Sequence, residues 1–89
     1  MAVAAFGNNK MRLYWTDKLL EEGYEVPAIV HPSAVVSPSA VLEPGCFVMQ
    51  RAVVNTNTRI GRAVLVNSGA IVDHNSVVCA ERMSDWEVL

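Results

Sequence analysis

The hydrophobic positions of this chain recur every six residues between positions 30 and 78. Six is an even spacing, so successive members of the series point to the same side of an extended chain. It does not match the 3.6-residue period of an α-helix. All members of the series are aliphatic: Val30, Val36, Leu42, Val48, Val54, Ile60, Val66, Val72 and Val78.

A second series of smaller residues follows the first at a constant offset of four positions. Because this offset is also even, both residues of each six-residue unit can face the interior, the larger one filling it and the smaller one lying near a corner. The smaller residues are Ala34, Ala40, Cys46, Ala52, Thr58, Val64, Ala70 and Ser76. The positions between the two series are rich in Pro, Gly, Asn and Ser, which favour turns.

A chain that turns a corner every six residues closes a three-sided coil in 18 residues. Stacked coils form a parallel β-solenoid, in which each coil buries its apolar side against its neighbours. Residues 18 apart then stack, so we expect Thr56 to lie against His74 and Met49 against Asn67. The repeat therefore predicts a solenoid of about three coils over residues 28–80.

The segment before the solenoid predicts a short strand–helix–strand unit. The apolar residues 2–6 predict a buried strand, and residues 10–22 predict a helix that ends at Gly23. Asn8 and Asn9 are candidates for its N-cap. The apolar stripe expected to pack this helix against the rest of the protein consists of Met11, Trp15 and Leu19, broadened by Tyr14 and Leu20.

After Val78 the repeat breaks. The next small position is Arg82 and the next aliphatic position is Ser84, and neither suits an apolar interior. We therefore expect residues 81–89 to form a non-repeat tail. Trp86 in this tail is expected to be a packing residue.

Composition narrows the possible functions. The chain has 89 residues, enough for one small domain, and its net charge of −2 does not favour nucleic acid or an anionic membrane. The longest apolar run, from Met1 to Phe6, is too short to span a bilayer and lacks the features of a secretory signal.

Cys46 and Cys79 do not form a metal-binding spacing, and Cys46 is expected to be a buried thiol. These features favour a cytoplasmic protein.

The repeat, [Ile/Val/Leu]-x-x-x-[small]-x, resembles that of the hexapeptide-repeat acyltransferases, which fold as left-handed parallel β-helices. Other segments are similar to the O- or N-acetyltransferases that modify sialic acid or bacillosamine-type amino sugars. These segments are GNN at 7–9, GY at 23–24, HPSAVVSPSAVL at 31–42, AVVN at 52–55, IG at 60–61 and NSGAIVDH at 67–74. The resemblance covers residues 3–78 and alone supplies the handedness, since ordinary parallel crossovers are right-handed.

The resemblance implies that His74 is the general base. It would take the proton from an acceptor hydroxyl or amine as that atom attacks the thioester of acetyl-CoA, and a histidine pKa of about 6.5 suits this task. The family often has an acidic residue directly after this histidine, where this chain has Asn75. The acid here is Asp73, which an extended backbone would direct to the opposite side of the strand.

Other site residues also follow from the resemblance. Asn67 is expected to orient the acceptor sugar, or else to be a corner residue that tolerates left-handed φ. Asn8 and Asn9 are expected to line the site of the sugar nucleotide, or else only to cap the helix. His31 is expected to be structural.

The resemblance further implies an acetyl-CoA-dependent enzyme that is a homotrimer with active sites between its β-helices. The family's glycine-rich nucleotide loop and CoA-binding coils have no counterpart here, so we expect a truncated member whose transfer of acetyl groups to a sugar or nucleotide-linked sugar is impaired. The alternative is an inactive β-helix remnant or interaction module. A zinc enzyme of the carbonic-anhydrase type is disfavoured, because the two histidines lie 43 residues apart, which is not a whole number of coils.

Together these observations predict a mostly β fold, a left-handed parallel β-helix of about three coils preceded by a short α/β segment. The expected divisions are a partial nucleotide-sugar-binding segment at 1–27, the β-helix at 28–80 and the tail at 81–89.

Overall fold

The computed structural model describes residues 1–5 and 7–79. Within these ranges, one helix, α1 (Asn9–Glu21), precedes nine strands of two residues each. The strands are β1 (Ile29–Val30), β2 (Val35–Val36), β3 (Val41–Leu42), β4 (Phe47–Val48), β5 (Val53–Val54), β6 (Arg59–Ile60), β7 (Leu65–Val66), β8 (Ile71–Val72) and β9 (Val77–Val78). The predicted tail, with Trp86, lies outside the described residues, as does Phe6.

The strands form three parallel sheets, ordered β1-β4-β7, β2-β5-β8 and β3-β6-β9. Each pairing joins residues 18 apart, as in Val30 with Val48 and Val48 with Val66. The offset confirms the predicted coil length. The fold is the predicted left-handed parallel β-helix of about three coils, with one sheet on each of its three sides.

The two inward series fill the interior. Val48, Val54, Ile60 and Val66 are fully buried, and most of the smaller residues pack beside them. Cys46 is among these, and its burial raises the pKa of the thiol to about 12. The thiol therefore stays protonated at neutral pH, which confirms the expectation that Cys46 is a buried core residue.

The corners between strands are tight turns that demand an unusual backbone conformation. From position 45 to position 75, every sixth residue has a positive φ, between 56° and 75°. Only two of the six are glycines; the set is Gly45, Arg51, Asn57, Ala63, Gly69 and Asn75. Most corners are closed by a backbone hydrogen bond across four residues, such as that from the Ala70 N–H to the Asn67 carbonyl at 3.1 Å.

The first coil lies at the end of the stack, and one of its corner N–H groups has a different kind of hydrogen-bond partner. In later coils a corner N–H donates to the coil before it, as Gly69 does to Gln50. Ser33 has no such coil beneath it, and its N–H donates instead to Nδ1 of His31 at 3.1 Å. Its hydroxyl accepts the N–H of Arg51 from the next coil at 2.9 Å. His31 thus completes the hydrogen bonding of this corner.

Helix α1 begins and ends as its sequence predicts. The Asn8 side chain accepts the N–H of Met11 at 3.0 Å, which identifies Asn8 as the N-cap. At the other end, Gly23 has φ 86°, and the N–H groups of Gly23 and Tyr24 donate to Leu20 and Leu19. This is the Schellman arrangement.

The predicted packing face of α1 is wrong at Met11, Tyr14 and Trp15, whereas Leu19 and Leu20 are half-buried. Met11 and Trp15 remain 44% and 40% exposed, whereas the buried residues of the helix are Asn9, Arg12 and Thr16. The physical reason is that α1 covers β-helix corners, whose backbone carbonyls need donors. Arg12 supplies one, because its Nε donates to the Ala63 carbonyl at 2.6 Å.

The strand predicted at the start of the chain is also absent from the described residues 2–5. Ala2 donates its N–H to the Glu25 carbonyl at 2.9 Å, and Ala4 is buried. Val3 remains exposed, so the segment is only half-buried and is not a strand of a sheet.

The contact between α1 and the first coil generates a testable prediction at Gly45. A Cβ at Gly45 would lie 2.6 Å from Cγ2 of Thr16, at a residue with φ 75°. Gly69 has nearly the same φ of 74°, but a Cβ there meets nothing within 4 Å. We expect Gly69→Ala to lower the free energy of unfolding by about 1 kcal/mol, from backbone strain alone. Gly45→Ala should lower it by about 2–4 kcal/mol, because overpacking adds to the strain.

Urea unfolding of the two variants at one protein concentration measures the difference. An equal decrease in the free energy of unfolding of the two variants would show that α1 does not pack closely against Gly45.

Candidate active site

His74 lies in the corner that joins β8 to β9. The four residues of the corner are Asp73, His74, Asn75 and Ser76, and the positive φ of Asn75, 59°, turns the chain between the two strands. The His74 side chain is 67% exposed. A reactive group on this corner is therefore open to a ligand.

Asp73 contacts His74 directly. Its Oδ1 lies 2.8 Å from Nδ1 of His74 and also accepts the backbone N–H of His74 at 2.9 Å. The expectation that Asp73 would point away from His74 is wrong, because it assumed an extended backbone. Asp73 opens a turn, and the turn brings the two side chains to the same side.

The contact determines which histidine nitrogen carries the proton. The hydrogen bond from the His74 side chain, followed by that from its backbone N–H and by its charge, lowers the pKa of the Asp73 carboxyl. An ionised carboxylate can only accept hydrogen bonds, so Nδ1 of a neutral His74 must be the donor. Nε2 is then left with a lone pair, as a general base requires.

The coil before His74 holds this corner from beneath. Both the N–H and the side-chain Nδ2 of Asn55 donate to the Val72 carbonyl at 3.1 Å. The Thr58 hydroxyl donates to the Asp73 carbonyl at 3.1 Å, and the Asn75 N–H donates to the Thr56 carbonyl at 3.0 Å. The last bond confirms that the corners of Thr56 and His74 stack. The sequence analysis did not identify Asn55 and Thr58 as supporting residues. The signal that could have identified Thr58 is its hydroxyl at an interior position of the repeat.

Asn67 lies in the preceding corner of the same coil, so β8 separates it from His74. Its Oδ1 accepts the N–H of Ser68 at 2.9 Å. This corner and the two stacked on it form a groove of about 580 Å³, lined by His31, Ser33, Gln50, Arg51, Ser68 and Gly69. Asn67 and His74 thus stand at opposite ends of one side of the β-helix, and they are not in contact.

Asn8 and Asn9 lie at the start of α1, and both side-chain oxygens have partners. Asn8 accepts the N–H of Met11, and the buried Asn9 accepts a hydrogen bond from the Arg12 guanidinium. Gly7, just before them, lines a separate apolar groove of about 260 Å³ with Phe47 and Leu65. The role of Asn8 and Asn9 in binding a nucleotide-linked sugar stays a prediction.

Among the described residues, no group of three or more His, Cys, Asp or Glu side chains is placed to hold a metal ion. In the same residues, no helix has the length and apolar character needed to cross a bilayer.

Solved structures with this fold include two sugar-modifying acetyltransferases. The acetyltransferase domain of PglB from Neisseria gonorrhoeae, also solved in complex with acetyl coenzyme A, aligns with a TM-score of 0.84 and 38% identity. Perosamine N-acetyltransferase from Caulobacter crescentus, in complex with CoA and GDP-perosamine, aligns with a TM-score of 0.82 and 35% identity. Two of the structures of the latter enzyme carry a substitution of one histidine, by Asn and by Ala. No protein-family model matches the chain.

These alignments cover 86% of this chain, but 38% and 37% of the two solved chains. The chain thus spans less than half the length of the proteins it matches. Both neighbours are hexapeptide-repeat sugar acetyltransferases, so the resemblance seen in the sequence is confirmed.

The Asp73–His74 contact generates a prediction about the proton on the imidazole. Asp73→Asn should lower the ratio of the Nδ1–H to the Nε2–H tautomer of His74 by about tenfold, since a neutral amide can pair with either form. Two-bond ¹H–¹⁵N spectra of the ring, recorded in mildly alkaline solution, measure this ratio. His31 serves as an internal reference, and Glu43→Gln, which neutralises a carboxylate paired with Arg59, is the matched control.

An unchanged His74 ratio in Asp73→Asn would contradict this assignment of the proton.

The lowered pKa of Asp73 also makes the stability of the fold depend on pH. Its carboxylate stabilises the fold above about pH 4. That contribution is lost as the pH falls through the folded-state pKa.

Proposed function

We propose that this chain, which shares its fold and more than a third of its aligned residues with hexapeptide-repeat sugar acetyltransferases, transfers an acetyl group from acetyl-CoA to a sugar. The acceptor atom is a hydroxyl oxygen or an amine nitrogen, and the acceptor class is a nucleotide-linked sugar. The observation that supports the proposal most strongly is the Asp73–His74 contact, which leaves Nε2 of an exposed histidine ready to accept a proton. The free thiols of Cys46 and Cys79 and the use of acetyl-CoA suit a reducing cytoplasm.

The proposed reaction uses His74 twice. Nε2 removes the proton from the acceptor as its oxygen or nitrogen attacks the thioester carbonyl carbon of acetyl-CoA. The new bond forms while electrons move onto the carbonyl oxygen; when they return, the carbon–sulfur bond breaks and CoA thiolate leaves. The imidazolium gives its proton to that thiolate. Asp73 stabilises the imidazolium and keeps Nδ1 protonated throughout.

Asn67 is proposed to orient the acceptor from the other end of β8. An Asn side chain offers both a donor and an acceptor to sugar hydroxyls, and Asn67 is exposed. For the nucleotide end of the acceptor, the exposed Asn8 is the contact we propose. Asn9 is buried and would act indirectly, since its bond with Arg12 holds the turn that carries Asn8.

We also propose that the active form is a homotrimer, and the outer faces of the β-helix indicate which surface is shared. On the first sheet, Phe47 and Leu65 lie beside the segment before the solenoid. On the third, Arg59 interrupts the apolar column and pairs with Glu43 at 2.9 Å. The second sheet presents an unbroken aliphatic column next to the His74 corner, made of Val35, Val53 and Ile71.

A neighbouring copy on this face would also complete the site. Asp73 and His74 are 81% and 67% exposed, and proton transfer benefits when water is excluded from such a pair. In the proposed homotrimer we therefore expect CoA to contact residues of adjacent copies at the His74 corner.

The catalytic prediction concerns His74. His74→Asn should lower kcat for acetyl transfer by about 10²–10⁴, because general base catalysis is lost. Acetyl-CoA binding, measured by isothermal titration, should be unchanged, since Nε2 acts on the acceptor. His31→Asn is the control, and it should keep its activity. CoA release in the presence of amino-sugar nucleotides gives the rate.

Two results would overturn the proposal. One is full turnover in His74→Asn. The other is a folded, monodisperse wild-type protein that neither binds acetyl-CoA nor releases CoA, which would identify an inactive interaction module instead.

The homotrimer generates a separate prediction. Ile71 is 72% exposed on the second sheet, and Val77 is 67% exposed on the third. Ile71→Lys should weaken self-association by at least about tenfold, because it places a charge within an apolar interface. Val77→Lys should have little effect. Light scattering coupled to size-exclusion chromatography distinguishes them; a wild-type monomer, or a loss confined to Val77→Lys, contradicts the assignment.

A further inference from the structure

Thr58 is a polar residue inside an apolar core. It occupies the smaller position of its six-residue unit, and it is 1% exposed. Ala52 and Val64 fill the equivalent positions before and after it, and both are buried without a polar group. A buried hydroxyl needs a hydrogen-bond partner, and the partner here is the Asp73 carbonyl of the next coil at 3.1 Å.

The His74 corner lacks the hydrogen bond that closes most other corners. Eight corners lie in the described solenoid, and six of them have a bond from the fourth N–H to the first carbonyl. The two corners without that bond begin at Asn55 and Asp73, among the residues that the structure describes. At the second of these, the Asp73 carbonyl accepts the Thr58 hydroxyl and not the Ser76 N–H.

The peptide groups on both sides of Asp73 are thereby fixed from the coil below. The carbonyl of the peptide before Asp73 belongs to Val72 and accepts from Asn55. The carbonyl of the peptide after it belongs to Asp73 and accepts from Thr58. That second peptide also carries the His74 N–H, which donates to Asp73 Oδ1. A rotation of this peptide would therefore move both the carboxylate and the imidazole.

We propose that Thr58 is a positioning residue for the Asp73–His74 pair. Its hydroxyl holds the peptide between the two residues, and the held peptide directs Oδ1 to Nδ1 and keeps the proton off Nε2. The catalytic meaning of this role rests on the proposed function. The orientation of the pair does not, and it can be measured without any substrate.

The experiment compares Thr58→Val with Thr58→Ser by ¹H–¹⁵N spectra of the His74 ring. Valine keeps the shape of threonine and removes the donor, whereas serine keeps the donor. With the donor gone, the Asp73 carbonyl loses its hydrogen bond to the coil below, and the peptide between Asp73 and His74 is free to rotate. We expect the ratio of Nδ1–H to Nε2–H tautomers to fall about fivefold in Thr58→Val, the equivalent of one ordinary hydrogen bond. Thr58→Ser should keep the wild-type ratio.

Val64→Ala is the matched control for loss of packing. It shortens a fully buried residue at the next equivalent position, so it lowers stability without touching the Asp73 carbonyl. The His74 ratio should stay unchanged in this variant. If Thr58→Val does not fold, Thr58→Ala serves as the second variant without a donor, since alanine fills the same position at Ala52.

Two results would overturn the proposal: an unchanged His74 ratio in a folded variant without the hydroxyl, or an equal fall in Val64→Ala. Absence of turnover in the wild-type protein would overturn the proposed function and leave this result intact. Where turnover is measured, Thr58→Val should lower kcat about fivefold with little change in KM, and Thr58→Ser should restore it.

Discussion

The hydrogen bonds that join each strand to the strand 18 residues away determine where the other groups of the β-helix lie. They place aliphatic side chains on top of one another, so a single register buries Val48, Val54, Ile60 and Val66 together. A shift by one residue would turn these side chains outward and bring their polar neighbours into the core. The same register stacks the corners, so a side chain in one coil can reach the backbone of the next.

The candidate site is a local product of that stacking. Asp73 and His74 are neighbours in sequence, yet their useful contact depends on a turn whose carbonyls are held by Asn55 and Thr58. Exposed side chains usually gain little from a single ionic contact. Here the backbone is also restrained on both sides of Asp73, and this restraint adds to the orienting effect of the hydrogen bond between the two side chains. Support from an adjacent coil is thus how an open corner keeps a defined geometry.

The sequence alone predicted the period, the register and the buried series, because these depend on spacing and size. It also predicted the N-cap at Asn8, since capping is a local property. It did not predict the packing face of α1, because Arg12 is buried for a partner 51 residues away, the Ala63 carbonyl. It placed Asp73 on the wrong side of His74, because the backbone angles of a corner are not readable from alternation. Thr58 looked like a space-filler, since nothing in the repeat shows which carbonyl its hydroxyl meets.

The corners have a consequence for how such a chain can change. Arg51, Asn57, Ala63 and Asn75 adopt a left-handed backbone that costs a residue with a side chain about 1–2 kcal/mol, or less for asparagine. Glycine at each of these positions would relieve the strain, but these corner positions would then carry no side chains. The side chains of Arg51, Asn57 and Asn75 are exposed, so an exchange at these positions alters the surface without disturbing the stacked interior, whereas Ala63 is buried. The exposed corners are therefore where substitutions can introduce new chemistry. The burial of apolar side chains in the interior must offset the cost of these corners in stability.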